Sequence, residues 1–420
     1  MNKTLNFFMF CYYFYPEVSG GIRRPMLLQK YLPENGIIPT VITPVKSSEK
    51  FFGQKVIHIS RPNFLEPNIP IFKFHKLTTN KQVQRNFFIK GLRTFVRQWL
   101  IYPDIYVFWV FNVLKNLRSK TLIIPDWIYT TSPPDSSHLI GLFLKKKWKC
   151  KWIADFRDSW VSNGLKPELK NPIRRKIERF IEKSVIKKAD IITCTTQNIK
   201  DDLILYYPKY KSKIYHWSNG FDPDPEIEDV NLDRSKFNLV HTGKFSLSDK
   251  NRSPINLFKA ISEIIKENNE FYKNFNLILI GELTVDEINS MKSLNIENNV
   301  SILGVVDYFK SLGYQKSADV LLIITSPNCQ EHIPGKLYEY MYTKNPILVL
   351  SNNKEIINKV LPLNYGLCAK PDSVNDIKIV LLKFYQMWKN NLLKQTFLYE
   401  YSKDFDGRNL VKIFSNFLTS

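Results

Sequence analysis

Residues 237–261 read FNLVHTGKFSLSDKNRSPINLFKAI, and their order decides the fold. A short apolar run ends in Gly243 and Lys244, a polar loop carries Arg252, and helical spacing begins at SPINLFKAI. Strand, glycine turn and helix in that order open a βαβ unit, whose strands pair in parallel. The pattern recurs downstream in FNLILIG (275–281), NVSILG (299–304), DVLLII (319–324), NPILVLS (345–351) and YGLCAK (365–370). Upstream, a second set comprises LNFFMFCYY (5–13), PTVITP (39–44), KVIHIS (55–60), WIYTTS (127–132), KWIADF (151–156) and DIITCT (190–195). GIRRPMLLQKYLPENG (21–36) reads as the first helix, with Gly36 as its stop. Between the two sets, NGFDPDPEIEDVNLDRS (219–235) is rich in proline and acid, lacks periodicity, and reads as a linker.

At 420 residues the chain exceeds one ordinary core, and two domains of about 200 residues are expected. The expected division is an N-terminal domain over 1–225, a second over 226–395, and a helix within 396–420 that packs back toward the first. The fold class is α/β, with two Rossmann-like doubly wound domains facing across a cleft. Ligands of such sheets bind outside the carboxyl ends of the strands. Five scattered cysteines without a Cys-x-x-Cys pair exclude a disulfide framework and a zinc ribbon, and fit a reducing cytoplasm.

The net charge of +21 calls for an anionic partner. Residues 71–120 hold ten Lys or Arg against the single acid Asp104, interleaved with aromatic and aliphatic residues as in NFFIKGLRTFVRQWL. That interleaving is how an interfacial amphipathic helix is built, so 71–120 is the expected contact with an anionic membrane. A solvated basic face is the alternative. The longest apolar run of this region, IYVFWVFNVL (105–114), is about half the roughly 20 residues of a membrane span. The protein is therefore expected in the cytoplasm, peripheral to the inner face of the membrane.

Candidate site residues cluster where strands end. Gly243, Lys244 and Arg252 could receive a diphosphate, because glycine admits close backbone approach and the cations neutralise charge; an ordinary surface loop is the other reading. In QEHIPGKLYEYM (330–341), a helix opening after Pro-Gly presents amide groups to an anion. Lys336, a cation in a first turn where the macrodipole disfavours it, then has a purpose. Glu339, a turn later, could accept from both hydroxyls of a ribose, or be an exposed helix glutamate. IADFRDSW (153–160) ends a strand with Asp155, Arg157 and Asp158. These are candidates for acid–base work or hydroxyl binding, or a structural Asp–Arg pair. His138, early in the helix of SPPDSSHLIGLFLKK, is weak alone, since a lone histidine is more often a core or capping residue.

Five blocks together carry a resemblance. YYFYPEVSGGIRRPMLLQKYLPENGIIPTVITP, YTTSPPDSSHLIGLFLKKKWKCKWIADFRDSW, WSNGFDPD, HTGKFSLSDKNRSP and IPGKLYEYMYTKNPILVL resemble, in order, glycosyltransferase family four, the retaining GT-B enzymes. The resemblance implies a GT-B fold and transfer of a sugar from a nucleotide-sugar donor to a glycan or lipid-linked acceptor. A role in bacterial surface polysaccharide synthesis follows as an expectation. It places Glu331 and Glu339 on the family's Glu-x7-Glu pattern, the first against the donor sugar and the second on the ribose. Enzymes of the Pro-Gly-Lys-x-x-Glu subgroup often lack the first glutamate, which makes Glu339 the firmer of the two. Amides of Gly335, Lys336 and Leu337 would meet the diphosphate beside Gly243, Lys244 and Arg252. Gly20, Gly21 and Arg24 would border the acceptor and phosphates, while His138, Asp155, Arg157 and Asp158 would line the sugar. No metal and no cofactor beyond the donor are implied, and no nucleic-acid partner; Asp222-Pro-Asp224 is read as linker. Two alternatives stand beside this reading: a GT-B-like sugar-nucleotide epimerase, and a non-catalytic basic protein that binds membrane or nucleic acid.

Overall fold

The computed structural model describes residues 4–17, 19–63, 101–119, 123–164, 166–326, 333–397 and 403–419. The chain forms two compact units, one of Met1–Ser218 with Leu410–Ser420 and one of Asn219–Asn409. The chain thus crosses after Ser218 and returns after Asn409, where the sequence reading drew boundaries at 225 and 395.

Unit 1 is built on an eight-stranded sheet with the order β3-β4-β2-β1-β5-β6-β7-β8. Its strands are β1 (Leu5–Phe10), β2 (Ile37–Thr43), β3 (Lys50–Phe51), β4 (Gln54–His58), β5 (Trp127–Ser132), β6 (Lys151–Phe156), β7 (Ile191–Cys194) and β8 (Ile214–His216). Pairing is parallel except between β3 and β4. All of β5, and β6 from Trp152 onward, is buried, as expected of parallel strands covered on both faces. Four helices share one core with Phe8, Phe10, Ile128, Trp152 and Ala154. They are α1's successors α2 (Val107–Ser119), α3 (Ser137–Trp148), α4 (Pro172–Lys188) and α5 (Gln197–Tyr206), α1 being Arg23–Tyr31. Gly141 of α3 is needed there, since a Cβ would collide with the Trp152 indole. Alternate strand residues point the other way. Phe414, on the helix Gly407–Thr419, packs its ring against Phe7 and Tyr129 at 6.0 Å and Trp217 at 4.6 Å. Trp217 Nε1 also donates to the Leu410 carbonyl (2.9 Å), tying the segment that leaves unit 1 to the one that returns.

Unit 2 holds six parallel strands in the order β11-β10-β9-β12-β13-β14. These are β9 (Phe237–Thr242), β10 (Phe275–Ile280), β11 (Val300–Gly304), β12 (Val320–Ile324), β13 (Ile347–Leu350) and β14 (Gly366–Ala369). The helices that concern the site are α6 (Tyr308–Ser317) and α7 (Lys336–Thr343).

Strand order reverses between β1 and β5 in unit 1, and between β9 and β12 in unit 2. At such a reversal successive connections leave on opposite faces and open a crevice at the carboxyl ends, where α/β sheets bind ligands.

Candidate functional site

In unit 1 the reversal is occupied by a buried ion pair. Asp155 ends β6, and the register aligns Thr131 of β5 and Thr193 of β7 beside it. Its carboxylate accepts from Arg24 Nη2 (2.6 Å) and Nε (3.2 Å), Tyr129 Oη (2.6 Å), Thr193 Oγ1 (2.7 Å) and Thr131 Oγ1 (2.9 Å). A carboxylate offers about four lone-pair sites, so this one is saturated. Burial would raise the Asp155 pKa, but Arg24 and the hydroxyl donors together hold it below the usual carboxylate range. Arg24 Nη1 continues to the carbonyls of Trp217 (2.9 Å) and Ser218 (3.0 Å), and its guanidinium lies 3.9 Å from the Trp217 ring centre. Asp155 and Arg24, expected on the sugar and phosphate sides, are thus partners of each other and anchor the end of unit 1.

The structure brings Arg157 to the same reversal. Its Nε donates to Ser132 O (2.9 Å) and its Nη2 to Pro133 O, both just after β5. A side chain on Gly21 would collide with this guanidinium, so glycine is what lets the loop after β1 approach it. Gly20 is exposed and opens the short 3-10 turn that leads into α1. Asp158 is half-buried two residues beyond the strand.

His138, in the first turn of the helix that follows β5, is fully buried in the core of unit 1 and close enough to Asp155 and Arg157 to feel their charges. Its ring stacks on Phe156 at 4.7 Å, and Nδ1 lies 2.8 Å from Thr130 Oγ1. Thr130 Oγ1 also accepts from Trp152 Nε1 (2.8 Å). Nε2 has no hydrogen-bond partner among the described residues. Burial lowers the His138 pKa to about 3, so the ring is neutral.

In unit 2 the reversal is built differently. The helix α7 begins at Lys336 with Gly335 as its N-cap, and the Leu337 amide already donates to Pro334 O (2.9 Å). Of the three amides expected to meet an anion, that of Leu337 is thus engaged in the turn. The Lys336 side chain does not stay over its own helix end. It reaches back to β9, where Nζ donates to Thr242 O and lies 3.4 Å from His241 Nε2. Tyr340 Oη, a turn further along α7, binds the Thr242 backbone amide and hydroxyl at 3.1 Å and clamps the helix to the same strand end.

His241 was not singled out in the sequence, although it directly precedes Thr-Gly-Lys at the end of a strand buried throughout. Its Nδ1 lies 2.9 Å from the Leu322 carbonyl, which can only accept, so Nδ1 carries the proton and Nε2 presents a lone pair to Lys336. Burial first, and the Lys336 ammonium second, hold its pKa well below the usual histidine value. Gly243 follows with φ +108°, and a Cβ there would lie 2.9 Å from Lys336 Nζ. The lysine therefore rests directly on the glycine turn.

Around this centre, Glu339 of α7 is buried and accepts from Tyr308 Oη of α6 (3.0 Å). Lys244 is exposed and ion-paired with Glu282, and Arg252 Nη1 donates to Ser248 Oγ (3.1 Å) in the loop before the next helix. Asp224 pairs with Arg408 (2.6 Å), and Asp222 accepts from the Asp224 amide, so both acids of the Asp-x-Asp sequence serve the start of unit 2. Glu331 lies outside the described residues, as do residues 71–100 and Lys120 of the basic stretch. Among the described residues no helix is long and apolar enough to cross a membrane.

Residues 18–225 match the model of Glycosyltransferase Family 4. An uncharacterized glycosyltransferase of Methanocaldococcus jannaschii is 26% identical over 213 residues, which cover 47% of this chain and 50% of that protein. The match thus spans about half the length of this curated relative. Among solved structures, a sucrose-phosphate synthase of Thermosynechococcus elongatus is similar with a TM-score of 0.63 at 14% identity, over 99% of this chain and 96% of the other. Anabaena HepE in complex with UDP is similar with a TM-score of 0.60 at 12% identity, over 99% of each chain. The fold is GT-B, as the sequence implied.

Proposed function

We propose that the chain, whose residues 18–225 match the model of Glycosyltransferase Family 4, is a retaining transferase that moves a sugar from a nucleoside-diphosphate donor to a glycan or lipid-linked acceptor. The observation that carries this reading is the unit 2 reversal. There the Lys336 ammonium is held on the Gly243 turn at the end of β9, with Glu339 one helical turn away. That juxtaposition gives a diphosphate a cation and a close backbone approach, and gives a ribose a carboxylate. The UDP bound to Anabaena HepE, a chain of similar fold, supports a nucleotide as the donor's handle.

In the proposed reaction the bond between the sugar's anomeric carbon and the diphosphate oxygen breaks, and its electron pair leaves with the diphosphate. The anomeric carbon passes through an oxocarbenium-like state while the acceptor oxygen attacks from the same face. The acceptor's proton goes to the departing phosphate. Charge grows on the diphosphate as the bond lengthens, so a cation already held in place stabilises the transition state more than the ground state. This scheme asks no metal to take part. A place in bacterial surface polysaccharide synthesis, at the cytoplasmic face of the membrane, fits the basic charge of the chain.

The test is a panel of nucleotide-sugars scored for nucleotide release with and without extracted lipid acceptors. One donor is expected to respond only when acceptor is present, with the product keeping the donor's anomeric configuration. Glu339→Ala should lose most of that activity; full activity in that variant would sink the assignment of the ribose carboxylate. Conversion of a donor into its epimer without acceptor would replace the transferase reading with the epimerase one.

A further inference from the structure

The helix α4, PIRRKIERFIEKSVIKK, distributes charge unevenly around its axis. It starts firmly, with Asn171 Oδ1 accepting from the Ile173 (2.9 Å) and Arg174 (3.2 Å) amides ahead of Pro172 at the first helical position. Its two acids both turn inward and are buried. Glu178 accepts from Arg174 Nε (2.6 Å) and Trp160 Nε1 (3.0 Å), and Glu182 from Tyr207 Oη (2.6 Å) and the Val161 amide (3.2 Å). Arg175, Lys176, Lys183, Lys187 and Lys188 are exposed, with no acid of the helix among them.

Between those cations runs a row of apolar side chains at helical spacing. Ile173, Ile177 and Phe180 face water, Phe180 at 72% exposure. At the end of α5, Leu205 is 74% exposed and Tyr206 44%. Arg179 stacks 3.9 Å from the Tyr206 ring centre and holds the two helices together. A turn earlier on α5 stand two acids, Asp201, which accepts from Gln197 Nε2 (2.7 Å), and the half-buried Asp202. On the other side Lys145 of α3 donates to Lys188 O (2.7 Å), which brings the exposed Lys146 and Lys147 to the same end.

A single exposed apolar residue is ordinary. A continuous row of them on a helix whose outward charge is of one sign is not. We propose that the α4–α5 face of unit 1 docks on an anionic lipid bilayer. Ile173, Ile177, Phe180 and Leu205 enter the boundary between headgroups and acyl chains, and the flanking lysines meet lipid phosphates. Lysine suits this place because its apolar stem can lie along the ridge while its ammonium stays in the headgroup layer. A protein partner would have to supply acids around an apolar groove, whereas a bilayer supplies both as an extended surface. A nucleic acid would meet the cations, but a ridge of aliphatic side chains has nothing to enter there. The surface is separate from the stretch 71–120, and its docking does not depend on the nucleotide reading.

Co-sedimentation of the full chain, without nucleotide, tests the proposal. It should pellet with vesicles of mixed phosphatidylglycerol and phosphatidylcholine at low salt, bind weakly to pure phosphatidylcholine, and release as salt rises. The double variant Ile177→Ser/Phe180→Ser should lower the partition by about tenfold or more. Lys176→Gln and Lys183→Gln should lower it by about fivefold each. All four positions are exposed, so melting should be unchanged, and Ile302→Ser on unit 2 should leave sedimentation as it was. Absence of sedimentation, or undiminished sedimentation in the double variant, overturns the proposal. So does DNA binding that the lysine variants abolish while vesicles go unbound. Sugar transfer to a soluble acceptor should be unaffected in these variants, which separates failure of this surface from failure of the nucleotide site.

Discussion

Each unit sets a cation where its strand order reverses, but the partners differ in kind. In unit 1, Arg24 faces the carboxylate of Asp155, and both are buried. In unit 2, the contacts of Lys336 include a carbonyl oxygen and the lone pair of an imidazole. Opposite charges brought together in a dry interior cancel, and once placed they stabilise the fold only as a pair. Dipoles that hold an ammonium orient it without neutralising it. The first reversal is therefore built on a buried pair of opposite charges, and the second on a lysine that touches a glycine turn, a carbonyl and an imidazole.

The contrast can be broken most forcefully at Asp155. Asp155→Ala leaves Arg24 as a buried charge and should cost about 3–5 kcal/mol of unfolding free energy, read from urea denaturation of the full chain. A variant as stable as the original would show that unit 1 does not rest on this pair. Lys336→Ala should do the reverse, leaving stability nearly intact while affinity for the nucleoside diphosphate of the responding donor falls by about 10–100-fold, the worth of one charge-assisted hydrogen bond. Calorimetric titration measures it, and a loss of stability matching that of Asp155→Ala would erase the difference between the two reversals.

His241 gives a finer handle. If its Nε2 orients Lys336, His241→Ala should raise the donor KM by about 2–10-fold with kcat largely kept. His241→Asn, which can still donate to Leu322 O and accept from Lys336, should recover part of the loss. A merely structural histidine would lower stability in both variants without separating KM from kcat.

The smallest effect concerns pH and tests both units at once. His138 and His241 have pKa values held below the ordinary 6.5 by burial, so they stay neutral in the fold. The unfolded chain then binds more protons than the fold as pH drops below about 6.5, and stability should decline over that range. His138→Leu should flatten the decline of unit 1 and His241→Asn that of unit 2, as followed by urea midpoints. Asp155 acts lower on the scale. Its depressed pKa gives stability that is complete above about pH 4 and is lost only as pH falls through its folded value.

Much of the architecture was legible because parallel strands buried on both faces appear as short, unbroken apolar runs. WIYTTS and FNLILIG coincide with β5 and β10 nearly residue for residue. The two- and three-residue strands β3 and β8 went unread, being too short to show a period. The partnerships were harder to see. Nothing local joins Arg24 to Asp155 across 131 positions. Still, Tyr129, Thr131 and Thr193 were polar interruptions in apolar strands, spaced to face the same side as an acid at a strand end. His138 is weak in the sequence alone, and only the family resemblance puts it beside the sugar. Its place in α3 stacks its ring on Phe156 and Trp160, a contact no local pattern announces. The oddity of Lys336 in a first helical turn was visible in the sequence, but its reach to β9 depended on a loop that folds the two segments together.

The tie between Trp217 and Leu410 sets the order in which the molecule can mature. Unit 2 is one unbroken stretch and can complete its core as soon as it has left the ribosome. Unit 1 is begun earlier and finished later. The surface formed by Phe7, Tyr129 and Trp217 stays bare until Phe414 is synthesised, after every residue of its neighbour. Throughout that interval Phe7, Tyr129 and Trp217 are without the ring that covers them in the finished fold.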